Sequence, residues 1–408
     1  MSTQNVNFLV REPLLDPKQR ILGYELGWQS ADGSAVASGN DDEAAQLVRQ
    51  IAEFLLDADG NWLLGENLLF LQATPGLLNE PALRSLPPHK TVLCVSSLGL
   101  GNAEFAARVK ELRSAGFGIA LKDAEALVHD KNLLLQISRV EIHFGETEFA
   151  AQARIYGALK QSTLRMVGRG ITSWKEYDSC ASLGVDAFAG NLFATPRPGA
   201  QATGLNPVQS MILQLMDMVR KNIDVRQLEA VLKRDAALSY KLLTYINSAG
   251  FGLGTEIQSL RHAVTMLGYS PLYRWLSVLL ATAGTSAQSP VLMQTAVVRG
   301  RFVELLGKNL LPKNEAENLF VAGMFSLLDR LLNMQMDKVL ENIPLSEQVT
   351  EALLNRQGIY GPFLSLAEAC EKGNTGAIAA LADSLFISPA QVNEAHLGAL
   401  SWAQSLKL

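Results

Sequence analysis

The chain has 408 residues, more than one ordinary hydrophobic core encloses, so two or three domains are expected. Hydrophobic residues make up 48% and charged residues 18%, a balance that excludes a disordered tail, a collagen or a coiled coil. A formal charge of −5 without any Lys/Arg block gives phosphate backbones and anionic lipids no general attraction, so neither nucleic acid nor membrane is an expected partner.

The N-terminus, Met1-Ser-Thr-Gln-Asn-Val-Asn7, lacks a charged region followed by an apolar core, and no later run approaches the ~18 apolar residues of a spanning helix. The expected compartment is the cytoplasm. Short β-rich runs then alternate with helical stretches: Leu68–Leu71, Thr91–Val95, Gly118–Leu121, Arg139–His143 and Leu164–Val167. Between them, Asp41 or Asp42 can cap a helix with Ala44, Leu47, Val48, Ile51 and Leu55 on one face, and Ala103–Ala115 reads as a helix stopped by Gly116. Such βα repetition predicts a parallel sheet, open or closed as a barrel.

Thr195–Pro207 carries three prolines and two glycines in thirteen positions, which breaks both helix and strand. The domains are therefore expected at 1–198 and 208–408, with 199–207 as the linker. Beyond it, apolar residues recur at three- and four-residue spacing: Met211 to Val219, Leu228 to Leu232, and Leu238 to Ile246. Asp235 and Gly250 can bound one helix, and Ser259 and Gly268 another that contains His262. Further helices are predicted at Ala296–Leu306, Glu315–Leu332 and Ser346–Arg356. The second half reads as a compact, all-α bundle.

Catalytic patterns are scarce. The five histidines (His89, His129, His143, His262, His396) show no metal-ligand spacing. No P-loop, no GxSxG elbow and no GxGxxG after a strand is present. The three cysteines, Cys94, Cys180 and Cys370, are far apart and odd in number, which predicts neither a disulfide framework nor a CxxC metal clip.

The order of features in the first half nevertheless resembles a family. Arg11–Asp16, Gly23-Tyr24-Glu25-Leu26 and the LGxDxxxGxLFxxP pattern of Leu183–Pro196 are similar to the EAL domain, the cyclic di-GMP phosphodiesterase fold, over roughly residues 5–198. The resemblance implies a modified (β/α)8 TIM-type barrel whose site lies at the C-terminal ends of the strands. It also implies a depleted site. The motif glutamate falls on Glu25, but the rest of the motif is Leu26-Gly27, and the substrate-binding arginine is Gln29. The metal-binding asparagine becomes Gln72, the glutamate of the next strand Cys94, and the paired aspartates Lys122 and Asp123. A lysine and an aspartate align with Glu141 and His143, a glutamate with Arg169, and the glutamine before Gly190 with Ala189.

Were Glu25, Lys122, Asp123 and Arg169 to converge, their formal charges would cancel, whereas two divalent ions need a surplus of carboxylates. Lys122 and Arg169 would then form ion pairs with Glu25 and Asp123, or else bind an anion such as a phosphate. Cys94 reads as a small buried hydrophobe.

The helical half is similar to the HDOD domain, a relative of HD-type metal-dependent phosphohydrolases, over about 205–400. The similarity rests on Leu232–Gly252 (DxxLxxKLLxxxNSAxFG) and on SLxxAxxxLG at Ser259–Gly268. It places Ser326 and Leu327 where active enzymes carry the metal-binding His-Asp doublet. Two enzyme-derived domains without their ligands imply a non-enzymatic bacterial signalling or regulatory protein. It would need no metal or cofactor and would act by contact with other signalling proteins, with the interdomain surface as the adjustable element. A cyclic di-GMP receptor, or a weak phosphodiesterase using Glu25 and Asp123, is the alternative.

Overall fold

The computed structural model describes residues 7–30, 41–129, 131–144, 162–195, 205–247, 259–283, 290–341 and 345–406, together with 155, 157, 159, 197, 257 and 343. It divides into two compact units, residues 1–198 with 370–376, and residues 199–369 with 377–408.

The first unit is a closed barrel of eight strands in sequential order: β1 (Asn7–Leu15), β2 (Ile21–Ser30), β3 (Leu68–Gln72), β4 (Thr91–Val95), β5 (Gly118–Leu121), β6 (Arg139–His143), β7 (Arg165–Arg169) and β8 (Ala187–Ala189). Strands β3 to β7 fall on the runs expected from the sequence. The sheet is not wholly parallel, because β1 runs antiparallel to both β2 and β8. The reversal is built locally. Asp16 accepts the backbone N–H groups of Lys18 (2.8 Å) and Arg20 (2.9 Å) and pairs with the Arg20 guanidinium at 2.6 Å, while Gln19 takes the left-handed φ of 61°. This Asx-type turn folds β2 back along β1. From β2 onward, crossovers return each strand in the same direction.

The barrel interior is filled by Leu14, Phe70, Val92, Cys94, Ala120, Val167, Ala187 and Ala189, with small residues from β5 and β8 making room for Phe70. Outside it, the helix Asp41–Leu55 buries Leu47, Val48, Ile51 and Leu55, and its acidic first turn complements the helix dipole. The helix Ala103–Ser114 starts where Asn102 accepts the N–H groups of Glu104 and Phe105, and Gly116 follows its end at φ 102°.

The second unit is all helix among its described residues. Pro207–Arg220 opens with a capping box between Asn206 and Gln209. Ser259 caps Leu260–Leu267, with Gly268 at its end, and Ser346 caps Glu347–Asn355. Gly250, the expected stop of the helix Ala236–Ile246, lies outside the described residues. One expectation is corrected. The run predicted as a single helix over Glu315–Leu332 is two, Lys313–Phe325 and Leu328–Leu332. Ser326 donates its hydroxyl to the Gly323 carbonyl (2.6 Å) and Leu327 adopts φ −117°, ψ 8°, so the α-helical ladder ends there.

The helices Pro290–Gly307 and Lys313–Phe325 cross at two glycines. A Cβ on Gly323 would stand 2.6 Å from the Gly300 Cα, so the contact exists only because both positions lack side chains. Gly323→Ala is therefore expected to destabilise the unit by about 1–3 kcal/mol, as overpacking of a tight core does. Calorimetry should register this as a midpoint lowered by about 2–10 °C; an unchanged midpoint would show that the crossing can open.

Candidate functional site

Side chains alternate along a strand, so the interior row of each strand ends in a residue at the barrel mouth. In β6 that row is Arg139, Glu141, His143, and in β7 it is Arg165, Val167, Arg169. In β1, running the other way, Leu14 of the core is followed towards the mouth by Glu12, which lies directly opposite Glu25 of β2. The topology thus delivers three carboxylates and one guanidinium to one place.

Arg169 is the centre of that group. Its Nε and Nη2 donate to the two oxygens of Glu141 (2.7 and 2.9 Å), Nη1 donates to Glu12 (2.6 Å), and Nη2 also donates to Glu25. The other Glu25 oxygen accepts from the Gln72 amide (2.6 Å), whose own oxygen accepts from the Lys122 ammonium (2.8 Å). His143 Nε2 stands 3.8 Å from Glu141. Glu12, Glu25, Gln72 and Lys122 line a pocket together with Leu26, Trp28 and Leu77.

The charges at the mouth are ordered by burial. Glu141 is 1% exposed, and its bidentate partner compensates a charge that water does not reach. Burial would pull Arg169 down, but Glu25, Glu141 and Glu12 outweigh it and hold the guanidinium above its ordinary range. Burial lifts the Glu12 carboxyl above its usual value; Arg169 opposes the rise, and the charges of Glu25 and Glu141 add to it. Burial also pushes the Cys94 thiol well above its usual value, helped by Glu25 and Glu141, and Cys94 is part of the barrel core.

The structure brings together Glu25, Gln72, Lys122, Glu141, His143 and Arg169 of the residues singled out in the sequence. Two expected pairings are corrected. Lys122 meets Gln72 rather than a carboxylate, because the Gln72 amide stands between it and Glu25. Asp123 turns to Ser97 instead, accepting its backbone N–H at 2.8 Å and its hydroxyl proton. Gln29 lies four residues beyond Glu25 on β2, opposite Phe8. Ala189 is buried in β8 opposite Leu14, and the chain leaves β8 through Gly190 at φ 121°, beside the Glu12 carboxylate. Glu12 was not among the expected site residues. It shares the inward face of β1 with Leu14, and that alternation was the available signal. With it, three carboxylates face two cations, so the mouth is not neutral as the earlier count had it.

In the helical unit, Ser326 is buried and accepts from Arg299 (2.7 Å), itself 6% exposed. Arg299 also stands 3.5 Å from Glu368, which takes a two-nitrogen contact from Arg356 at 3.0 and 2.7 Å. Leu327 is buried. His262 sits partly buried in the helix Leu260–Leu267. Among the described residues no group of three or more His, Cys, Asp or Glu side chains has metal-ligand geometry, and no helix is long and apolar enough to cross a membrane.

The chain joins a closed eight-stranded barrel to a helical unit. The HDOD domain model matches residues 205–352. Over its full length the chain is similar to two curated proteins. One is the cyclic di-GMP phosphodiesterase CdgJ of Vibrio cholerae, 26% identical across 99% of this chain and 94% of that one. The other is the uncharacterized protein YuxH of Bacillus subtilis, 24% identical across 98% of both. Among solved structures, BlrP1 of Klebsiella pneumoniae in its manganese and cyclic di-GMP complex covers 47% of this chain and 56% of its own, at 19% identity and a TM-score of 0.38.

Two outcomes follow from the mouth. Arg169→Met strands the buried Glu141 charge and is expected to cost about 3–5 kcal/mol, read as a lowered unfolding midpoint in urea. Glu12→Gln tests the raised carboxyl. The folded state holds that proton more tightly than the unfolded chain does, so the stability it contributes is fully present below the ordinary value of 4.5 and is lost as pH rises from there through the raised value. Relative to Glu12→Gln, the wild type should therefore lose thermal stability across that window; a gain would mean that folding lowers the Glu12 carboxyl instead.

Proposed function

We propose that this protein is a non-enzymatic signal-transduction or regulatory protein that acts through contacts with other proteins. The observation that carries this reading is Arg169, which occupies the carboxylates Glu12, Glu25 and Glu141 together. A pair of divalent ions needs oxygen ligands in surplus. Here two Glu25 oxygens are already committed, to Arg169 and to Gln72, and the Lys122 ammonium lies one amide away. Placing a divalent cation against a guanidinium costs several charge contacts, each about 4 kcal/mol at 4 Å and an effective dielectric near 20. The residues at the mouth do not fit a two-metal centre. In the helical unit, Arg299 supports the same reading, since its cationic side chain bonds Ser326, the residue at the first doublet position.

A second reading is that the barrel receives cyclic di-GMP, or hydrolyses it weakly. It is favoured by full-length similarity to CdgJ, named as a cyclic di-GMP phosphodiesterase, and by the retention of Glu25. The two readings separate in one experiment. With Mg²⁺ or Mn²⁺, the purified protein is expected to leave cyclic di-GMP unhydrolysed, as followed by chromatography of the linear product. Metal-dependent turnover that disappears in Glu25→Ala would establish the enzyme instead. Calorimetric binding of cyclic di-GMP without turnover would establish the receptor.

A further inference from the structure

The opposite end of the barrel holds a second group of charges that the mouth does not use. Arg139 and Arg165 begin β6 and β7 and face each other as register partners, a like-charge pair across adjacent strands. With Arg113, from the last turn of the helix Ala103–Ser114, they line an open cleft of about 680 Å³ that also includes His89, Ser138 and Glu66. That volume lies within the ~300–1,000 Å³ of small-molecule sites.

These guanidiniums are underused. Among the described residues none of the three forms an ion pair. Arg113 Nη1 is buried without a hydrogen-bond partner, and Arg139 makes one long contact, 3.5 Å to the Ser138 hydroxyl. The one carboxylate in the lining, Glu66, is taken by Lys90 at 2.5 Å, and nearby Asp186 accepts the Met166 backbone N–H. Arg139 is also fixed in place. Its guanidinium sits 5.8 Å from the Phe70 ring centroid, and its Nη1 would lie 3.0 Å from a Cβ on Gly118, so the bare glycine lets it reach the barrel floor. Burial first, and then the charge of Arg165, lower its proton affinity, and the nearby Asp186 charge offsets them only in part.

The geometry points to a binding site for a phosphate-bearing small molecule in this cleft, with Arg113, Arg139 and Arg165 as its ligands. Guanidinium forks match phosphate oxygens bidentately, and an anion here would satisfy the buried Arg113 nitrogen while relieving the Arg139–Arg165 repulsion. The cleft is larger than one phosphate, which leaves room for an attached body.

The test is calorimetric titration of the full chain at low ionic strength with two probes, pyrophosphate and adenosine 5′-monophosphate. At least one should bind the wild type, and its affinity should fall tenfold or more in both Arg165→Gln and Arg113→Gln. The Arg165 side chain is exposed and, among the described residues, forms no hydrogen bond or ion pair, so its variant should keep the wild-type unfolding midpoint. Tighter binding of the nucleotide would assign the extra volume to a base or sugar, and equal binding would assign recognition to phosphate alone. No binding of either probe at millimolar concentration, or a smaller loss in either variant, would overturn the site.

Discussion

Everything at the barrel mouth depends on Arg169. Its guanidinium is the only group in the cluster that touches Glu12, Glu25 and Glu141, and so ties β1, β2 and β6 to β7 with charge-assisted bonds. One of these contacts is to Glu141, a carboxylate that water does not reach, where a missing partner costs most. A guanidinium is a permanent cation with donors fixed in a plane, whereas a bound metal ion exchanges with solvent. On the proposed reading, the carboxylates are held by a cation of the chain itself rather than by an exchangeable ion, and the mouth is held in a single arrangement.

The helical unit follows the same chemistry with different parts. Arg299, Ser326, Glu368 and Arg356 form a chain of polar contacts inside a bundle otherwise filled by residues such as Leu319, Phe320, Ala322 and Phe325. The two buried members, Arg299 and Ser326, are tolerated because each finds a partner. The break between Phe325 and Leu328 belongs to the same arrangement, since the Ser326 hydroxyl that receives Arg299 also donates to the Gly323 carbonyl.

Much of the fold was legible in the sequence because burial leaves a period. The runs Thr91–Val95 and Gly118–Leu121 are apolar on both faces, as strands covered by helices must be, and Leu47, Val48, Ile51 and Leu55 mark one helix face. The site was legible in its members but less so in its pairings. Which cation meets which carboxylate depends on side-chain reach at the strand ends, and no spacing rule encodes that Gln72 stands between Lys122 and Glu25. Glu12 was hidden for another reason, since a single glutamate in a strand looks like a solvent-facing residue until the partner strand is known. The helix break at Leu327 was invisible because Phe325-Ser326-Leu327-Leu328 is a sound helical sequence, interrupted by a hydroxyl whose orientation the neighbouring helix sets.

The antiparallel first strand has a consequence for how the chain is made. Glu12 and Glu25 lie 157 and 144 residues before the arginine that pairs with them. At about 5–20 residues per second, a ribosome delivers β1 roughly 8–30 s before β7. Through that interval the hairpin of β1 and β2 carries its acidic face without a counter-charge and has only β3 to β6 to pair with. Closing the ring is therefore the late step of biogenesis, and contacts so distant in sequence belong to slowly folding topologies. A nascent chain stalled before Arg169 would display an open sheet with two unpaired edges, the form of this protein most exposed to chaperones and to proteolysis.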